Sequence, residues 1–185
     1  MPVYISMLRG VNLAKHKRVK MDALKALYES LKLADVQTYV QSGNVLFRSG
    51  ERDENRLAKR IEKAIAETCG FESSVIIRTP AEMRGVVERN PFLGRSGIEP
   101  AKLAVCFLRA QPATEIREKL LALDIAPEEL RLDGREMYIY FTNGMARPKL
   151  SMAVAERILK TPGTSRNWNS VTKLLEMGER LETSK

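Results

Sequence analysis

Histidine is all but missing from this 185-residue sequence: the single His16 sits in a basic run with Lys15, Lys17 and Arg18, and no carboxylate precedes Asp22. Histidine triads, zinc sites and HExxH chemistry are therefore not expected, since each needs partners for the imidazole that this stretch lacks. Cysteine is nearly as scarce. Cys69 and Cys106 belong to no CxxC or Cys/His cluster and cannot build a disulfide framework, so a reducing cytosol is the expected home. The sequence has no GxxxxGK[ST], no GxGxxG and no EF-hand spacing, and neither a cofactor nor a metal is expected. An enzyme built from this chain would work with Arg, Lys, Asn, Gln, Ser or Tyr.

Long apolar runs are lacking too. No window approaches the roughly 20 apolar residues of a membrane-spanning helix. The apolar stretch near Met1 is only about seven residues long, with no basic flank before it and no small-residue cleavage site, so no signal peptide is expected. What remains is a composition ordinary for a soluble globular protein, 44% hydrophobic and 29% charged, long enough for one large domain or two small ones. Lys and Arg number 31 against 23 Asp and Glu, a formal charge of +8.

Apolar spacing divides the chain. Val3 to Leu8 is rich in strand formers, and Met21, Leu24, Leu27 and Leu31 recur at helical spacing. Val36 to Val40 alternates, residues 41–44 have turn chemistry, and Val45 and Phe47 resume the alternation, which predicts a hairpin. Leu57, Ile61, Ala64 and Ile65 mark a second helix closed by Gly70, and 74–78 a further strand. Thr79-Pro80-Ala81-Glu82 then reads as a capped helix start, with the helix ending by Asn90-Pro91.

After a Pro- and Gly-rich stretch the order repeats: strand 102–109, helix 114–123, strands 129–132 and 136–141 around Asp133-Gly134, and helix 151–159. Met7-Leu8-Arg9-Gly10 corresponds to Phe107-Leu108-Arg109-Ala110. The expectation is an α+β fold, a tandem repeat of two ferredoxin-like β-α-β-β-α-β units with an extra C-terminal helix from about Asn169 to Leu181. The first unit and a connecting helix would occupy 1–89, a linker 90–101, and the second unit with the extra helix 102–185.

In that topology the end of the first strand and the turn from the second to the third share one sheet edge. Arg9, Gly10 and Asn12 should then lie near Gln41, Ser42, Gly43 and Asn44. The loop between carries Lys15, Lys17, Arg18 and Lys20, so this edge should be electropositive. The amides of Asn12, Gln41 and Asn44 are candidates to orient a ligand, and the N–H groups around Gly43 to form an anion-binding turn. The plain alternative is a solvated basic loop beside a hairpin that needs Gly43-Asn44 for its turn.

A third polar cluster spans 164–173. Asn167 or Asn169 can cap the last helix, with Arg166 in front of its N-terminus and Lys173 on its first turns, where an anion would find N–H groups, dipole and charge together. Alternatively Trp168, the single tryptophan, packs the helix and Arg166 covers it. Tyr138 and Tyr140 make one strand face aromatic. That is either a base-stacking platform or, better, a face covered by the other domain.

Three motifs, LRGVN at 8–12, YVQSGNV at 39–45 and RNWNSVTKL at 166–174, resemble the bacterial family known as domain of unknown function 1697. The resemblance implies a cytosolic α/β protein of two ferredoxin-like halves and assigns no activity. Its motif positions fall on Arg9, Gly10, Asn12, Gln41, Ser42, Gly43, Asn44, Arg166, Asn167, Trp168 and Lys173. Where that family is usually glycine-rich after the Asn, this chain has Leu13-Ala14-Lys15-His16.

Two classes of function follow. A cytoplasmic binding protein for a phosphate-bearing ligand, nucleic acid ahead of free nucleotide, would use the basic loop. An enzyme or sensor for a small anionic ligand such as a nucleotide would use the amide and glycine cluster. A homodimeric structural role is a third option, and no membrane partner is expected.

Overall fold

The computed structural model describes residues 1–13, 17–146, 148–150 and 152–184. The basic-loop residues Lys15 and His16, and Ser151 at the expected start of a helix, lie outside them. Among the described residues the chain forms two four-stranded antiparallel sheets and six α-helices. No helix among them is long and apolar enough to cross a membrane.

The first sheet contains β1 (Val3–Leu8), β2 (Ala34–Tyr39), β3 (Asn44–Arg48) and β4 (Val75–Arg78), in the order β2-β3-β1-β4. Helices α1 (Met21–Ser30) and α2 (Glu54–Cys69) alternate with them. Leu24, Leu27 and Tyr28 of α1 and Leu57, Ile61 and Ile65 of α2 form a buried cluster with Tyr4, Leu8, Val45, Phe47, Val75 and Ile77 of the sheet. The termini are set by local chemistry. Asp53 accepts from the N–H groups of Asn55 and Arg56 at the start of α2, and Gly70 closes its end. Inside the cluster the Tyr28 hydroxyl lies 2.9 Å from Ser6 Oγ, which donates to Val45 O, so the buried polar atoms are satisfied.

The second sheet repeats the order, with β5 (Leu103–Leu108), β6 (Glu129–Asp133), β7 (Glu136–Tyr140) and β8 (Gly163–Asn167) arranged β6-β7-β5-β8. Helix α3 (Pro80–Glu88) precedes it, opened by Thr79 and Glu82, which bond each other's backbone N–H and side chain as the sequence predicts. Helices α4 (Thr114–Leu121) and α5 (Met152–Leu159) follow β5 and β7, and α6 (Trp168–Thr183) ends the chain.

One expectation is corrected here, and the less favoured of two alternatives is excluded. Residues 163–167 are a strand, not a polar approach to the last helix, because β5 supplies antiparallel partners from Leu108↔Gly163 to Ala104↔Asn167. Tyr138 and Tyr140 offer no open stacking platform: both are buried, and their hydroxyls donate to Val86 O and Gly97 O.

The chain separates into two compact units, Met1–Gly85 with the residues from Lys173 onward, and Val86–Thr172. This differs from the expected division at 90–101. That stretch is anchored within the second unit by Phe92, 1% exposed and 5.9 Å from the Tyr140 ring, and by Arg95 held on both Glu129 oxygens at 2.9 Å. The later part of α6 belongs to the first unit, where Gly178 lets the helix approach so closely that a Cβ would meet Ile5 Cδ1 at 3.0 Å.

Arg48 completes that attachment, donating to Leu181 O at 2.5 Å, Ser184 O at 2.6 Å and Asp35 Oδ2 at 2.8 Å. The last carbonyls of a helix have no intrahelical donor, and a guanidinium satisfies them with charge of the favourable sign. Arg48→Ala is expected to cost about 2 kcal/mol and to speed hydrogen exchange at the Ser184 amide. An unchanged exchange rate there would show that the helix end holds without the arginine.

Candidate functional site

The first sheet brings the end of β1 to the β2–β3 turn. Leu8 N–H donates to Gly43 O at 2.9 Å, and Arg9 N–H to Ser74 O at 2.9 Å on the other side. Beyond them the chain turns through Gly10 (φ +69°) and Asn12 (φ +60°), both in the left-handed region. Asparagine tolerates that backbone because its short amide can bond locally. Here it does: Asn12 Nδ2 donates to Val19 O at 3.1 Å and Gln41 O at 2.8 Å, and Oδ1 accepts from Val19 N–H at 3.0 Å.

Two hollows lie at this edge. The first, of about 660 Å³, is lined by Arg18, Lys20 and Asp22 with Asn12, Gln41 and the start of α1. Lys20 occupies the N-cap position of α1 and makes no side-chain cap, and with Met21 and Asp22 it brings the start of the helix to this hollow. The second, of about 340 Å³, is lined by Arg9, Gly10, Lys17, Glu72, Ser73 and Ser74. Lys17 Nζ donates to Glu72 O at 2.9 Å across it, and Ser73 Oγ donates to Arg9 O.

Asn12, Arg18, Lys20 and Gln41 thus line the first hollow and Arg9, Gly10 and Lys17 the second, with Asn12 bonded to Gln41 O across the edge. The other hairpin residues hold the turn. Asn44 is fully buried, its Nδ2 donating to Tyr39 O and Ser42 Oγ, while Gly43 is pressed against Leu8. The expected ligand-orienting amides of Asn12 and Asn44 are therefore engaged within the protein. Gln41 keeps its expected place on the first hollow.

The cluster at 164–173 lines neither hollow. Arg166 is not poised before a helix: it lies in β8, 6% exposed, with one guanidinium nitrogen donating to Thr164 Oγ1 and Ser165 O at 2.8 Å. Burial pulls its guanidinium down to about 10, which still leaves it charged at neutral pH. Asn167 caps α6 by accepting from Ser170 N–H at 2.8 Å, as expected. Lys173 is paired at 2.8 Å with Glu176, and that hydrogen bond holds the Glu176 carboxyl below its ordinary range.

Sequence reasoning missed Arg78, which is fully buried and donates to Ile77 O at 2.8 Å. Its register, Ile5↔Arg78, is that of Val105↔Arg166 in the second sheet. The internal repeat relating residues 5 and 105 is the signal that pairs the two arginines. Among the described residues no group of three His, Cys, Asp or Glu side chains is placed to hold a metal.

Fold and edge together define an α+β protein of two like-ordered antiparallel sheets, with two hollows lined in part by Arg and Lys where its first strand ends. The chain belongs to the family described as protein of unknown function DUF1697, whose family model matches residues 1–138. Both hollows lie within that span, and the motif at 166–174 lies beyond it. The fold is similar to that of the conserved bacterial protein SP0830 from Streptococcus pneumoniae, with a TM-score of 0.74 and 21% identity over 97% of this chain and 99% of that one. No curated protein matches the chain.

Proposed function

We propose that this is a cytosolic binding protein for a phosphate-bearing ligand, with nucleic acid the favoured ligand, held at the edge where β1 ends. The observation that carries this reading is the first hollow, whose lining sets Arg18 and Lys20 against a single carboxylate, Asp22, at the start of α1. Cations of this kind neutralise phosphates and release the counterions condensed on them.

The Arg18→Ala/Lys20→Ala double variant is expected to weaken binding of RNA and DNA oligonucleotides across sequences. On duplex DNA it should lower the slope of log K against log salt by up to about 1.8, from about 0.9 per lost phosphate contact. A double variant that binds like the wild type would refute the reading. A second reading, an enzyme or sensor for a small anionic ligand, draws on the size of that hollow, which falls within the roughly 300–1,000 Å³ of small-molecule sites. Wild type that ignores nucleic acid at low salt but gains thermal stability with ATP would favour it.

We also propose that the chain is a tandem repeat of two ferredoxin-like units followed by α6. The reading is supported by the common strand order of the two sheets and by the matched registers of β4 and β8.

A further inference from the structure

The basic charge at this edge is divided. Lys17 and Arg18 are consecutive, yet Lys17 lines one hollow and Arg18 the other, so the two hollows adjoin along the chain. Each hollow offers two cations, Arg18 and Lys20 in the first and Arg9 and Lys17 in the second, against one acidic residue each, Asp22 and Glu72. A ligand with one phosphate fills one seat; a chain that repeats its phosphates reaches both.

Two of the amides that could read a base, those of Asn12 and Asn44, are committed elsewhere. Discriminating one base from another takes paired donors and acceptors aimed outward, and Asn12 spends both amide hydrogens and its oxygen on Val19 and Gln41. Asn44 spends both of its hydrogens on Tyr39 O and Ser42 Oγ. Gln41 apart, the polar lining of the first hollow is chiefly charged, and charge recognises phosphate regardless of what the phosphate carries.

Resting on the phosphate-binding reading above, we infer that the ligand is a chain of repeated phosphates, seated across both hollows and recognised by its charge without selection among bases. A nucleic-acid backbone and inorganic polyphosphate share this chemistry.

The test uses the full chain and fluorescently labelled oligo(U), oligo(A) and oligo(C) RNA of equal length, measured by anisotropy over a salt series. The three affinities are expected to agree within about threefold, since a shared phosphate backbone supplies nearly all of the binding. Unlabelled inorganic polyphosphate should displace the RNA, and inorganic phosphate at the same total phosphate concentration should not. Arg9→Gln in the second hollow should lower the salt slope by about 0.7, the single-strand value for one contact. Arg18→Ala/Lys20→Ala in the first should lower it by about 1.4, and the two losses should add. A tenfold preference among the homopolymers, RNA that polyphosphate cannot displace, or an unchanged slope in Arg9→Gln would overturn the inference while leaving phosphate binding intact. Wild type that binds none of the polyanions would overturn the binding reading and this inference together. A source preference is read directly: polyphosphate bound more tightly than RNA per phosphate assigns the chain to inorganic polyphosphate, and the reverse to nucleic acid.

Discussion

Trp168→Ala is expected to lower the unfolding free energy by about 3 to 5 kcal/mol, and Arg166→Ala by about 2 to 4 kcal/mol, so that both fall well outside the range of surface substitutions. Trp168 is 8% exposed at the first turn of α6, and truncating so large a buried side chain removes its transfer free energy and leaves a cavity. Arg166 is two residues earlier and equally buried, and its loss strips Thr164 Oγ1 and Ser165 O of the same donor. Lysine cannot replace it, because one ammonium on a flexible stem does not reproduce the planar fork. Denaturant midpoints of Trp168→Ala, Arg166→Ala and Arg166→Lys decide the matter. If Arg166→Ala stays within about 0.5 kcal/mol of wild type, as exposed positions do, its side chain is not part of the packing. The same measurement separates a structural clasp at 164–168 from an anion site, since a reserved surface arginine would leave the midpoint where it was.

The second large effect lies at the hairpin turn. Gly43 has φ +73°, and a Cβ built there falls 2.8 Å from Leu8 Cβ, the rigid root of a side chain that is itself buried. Gly43→Ala therefore incurs about 1 to 2 kcal/mol for the left-handed backbone and about 1 to 3 kcal/mol for forcing the turn away from β1. Gly10→Ala is the control. Its φ of +69° carries the same backbone cost, and nothing lies within 4 Å of the added carbon. Gly43→Ala should thus destabilise clearly more than Gly10→Ala, and equal losses would mean that the turn shifts without resistance. The Gly43 variant should also disturb the first hollow, because Gln41 and the Leu8 N–H bond to Gly43 O belong to the same turn.

Much of the candidate edge was legible beforehand. The alternation at Val36–Val40 and Val45–Phe47 defines a hairpin, and the strand order that follows from the succession of elements carries Asn12 to Gln41, 29 residues away in sequence. The roles of Asn12 and Asn44 were not legible. Their amides look alike in sequence whether they face a ligand or a carbonyl, and only the positions of Val19, Gln41, Tyr39 and Ser42 around them settle which.

By itself the sequence determined the local elements and their succession, because apolar period, capping residues and turn chemistry act over a few residues: the Thr79–Glu82 box and Gly70 both act where they were read. It also showed that the stretch leaving β1 carries Arg9, Lys17, Arg18 and Lys20 with nothing acidic before Asp22, though not that Glu72 would join them. Only the tertiary structure decided β8. Gly163-Thr164-Ser165-Arg166-Asn167 has no apolar alternation, and it is extended because β5 offers it a row of backbone partners nearly 60 residues away. With that pairing Arg166 turns from a surface cation into a buried one, the counterpart of Arg78. The later part of α6 likewise joins the first unit through Gly178, Arg48 and the contact of Arg84 with Glu179. Long-range pairing and close packing are properties of positions brought together, and no window of neighbouring residues encodes them.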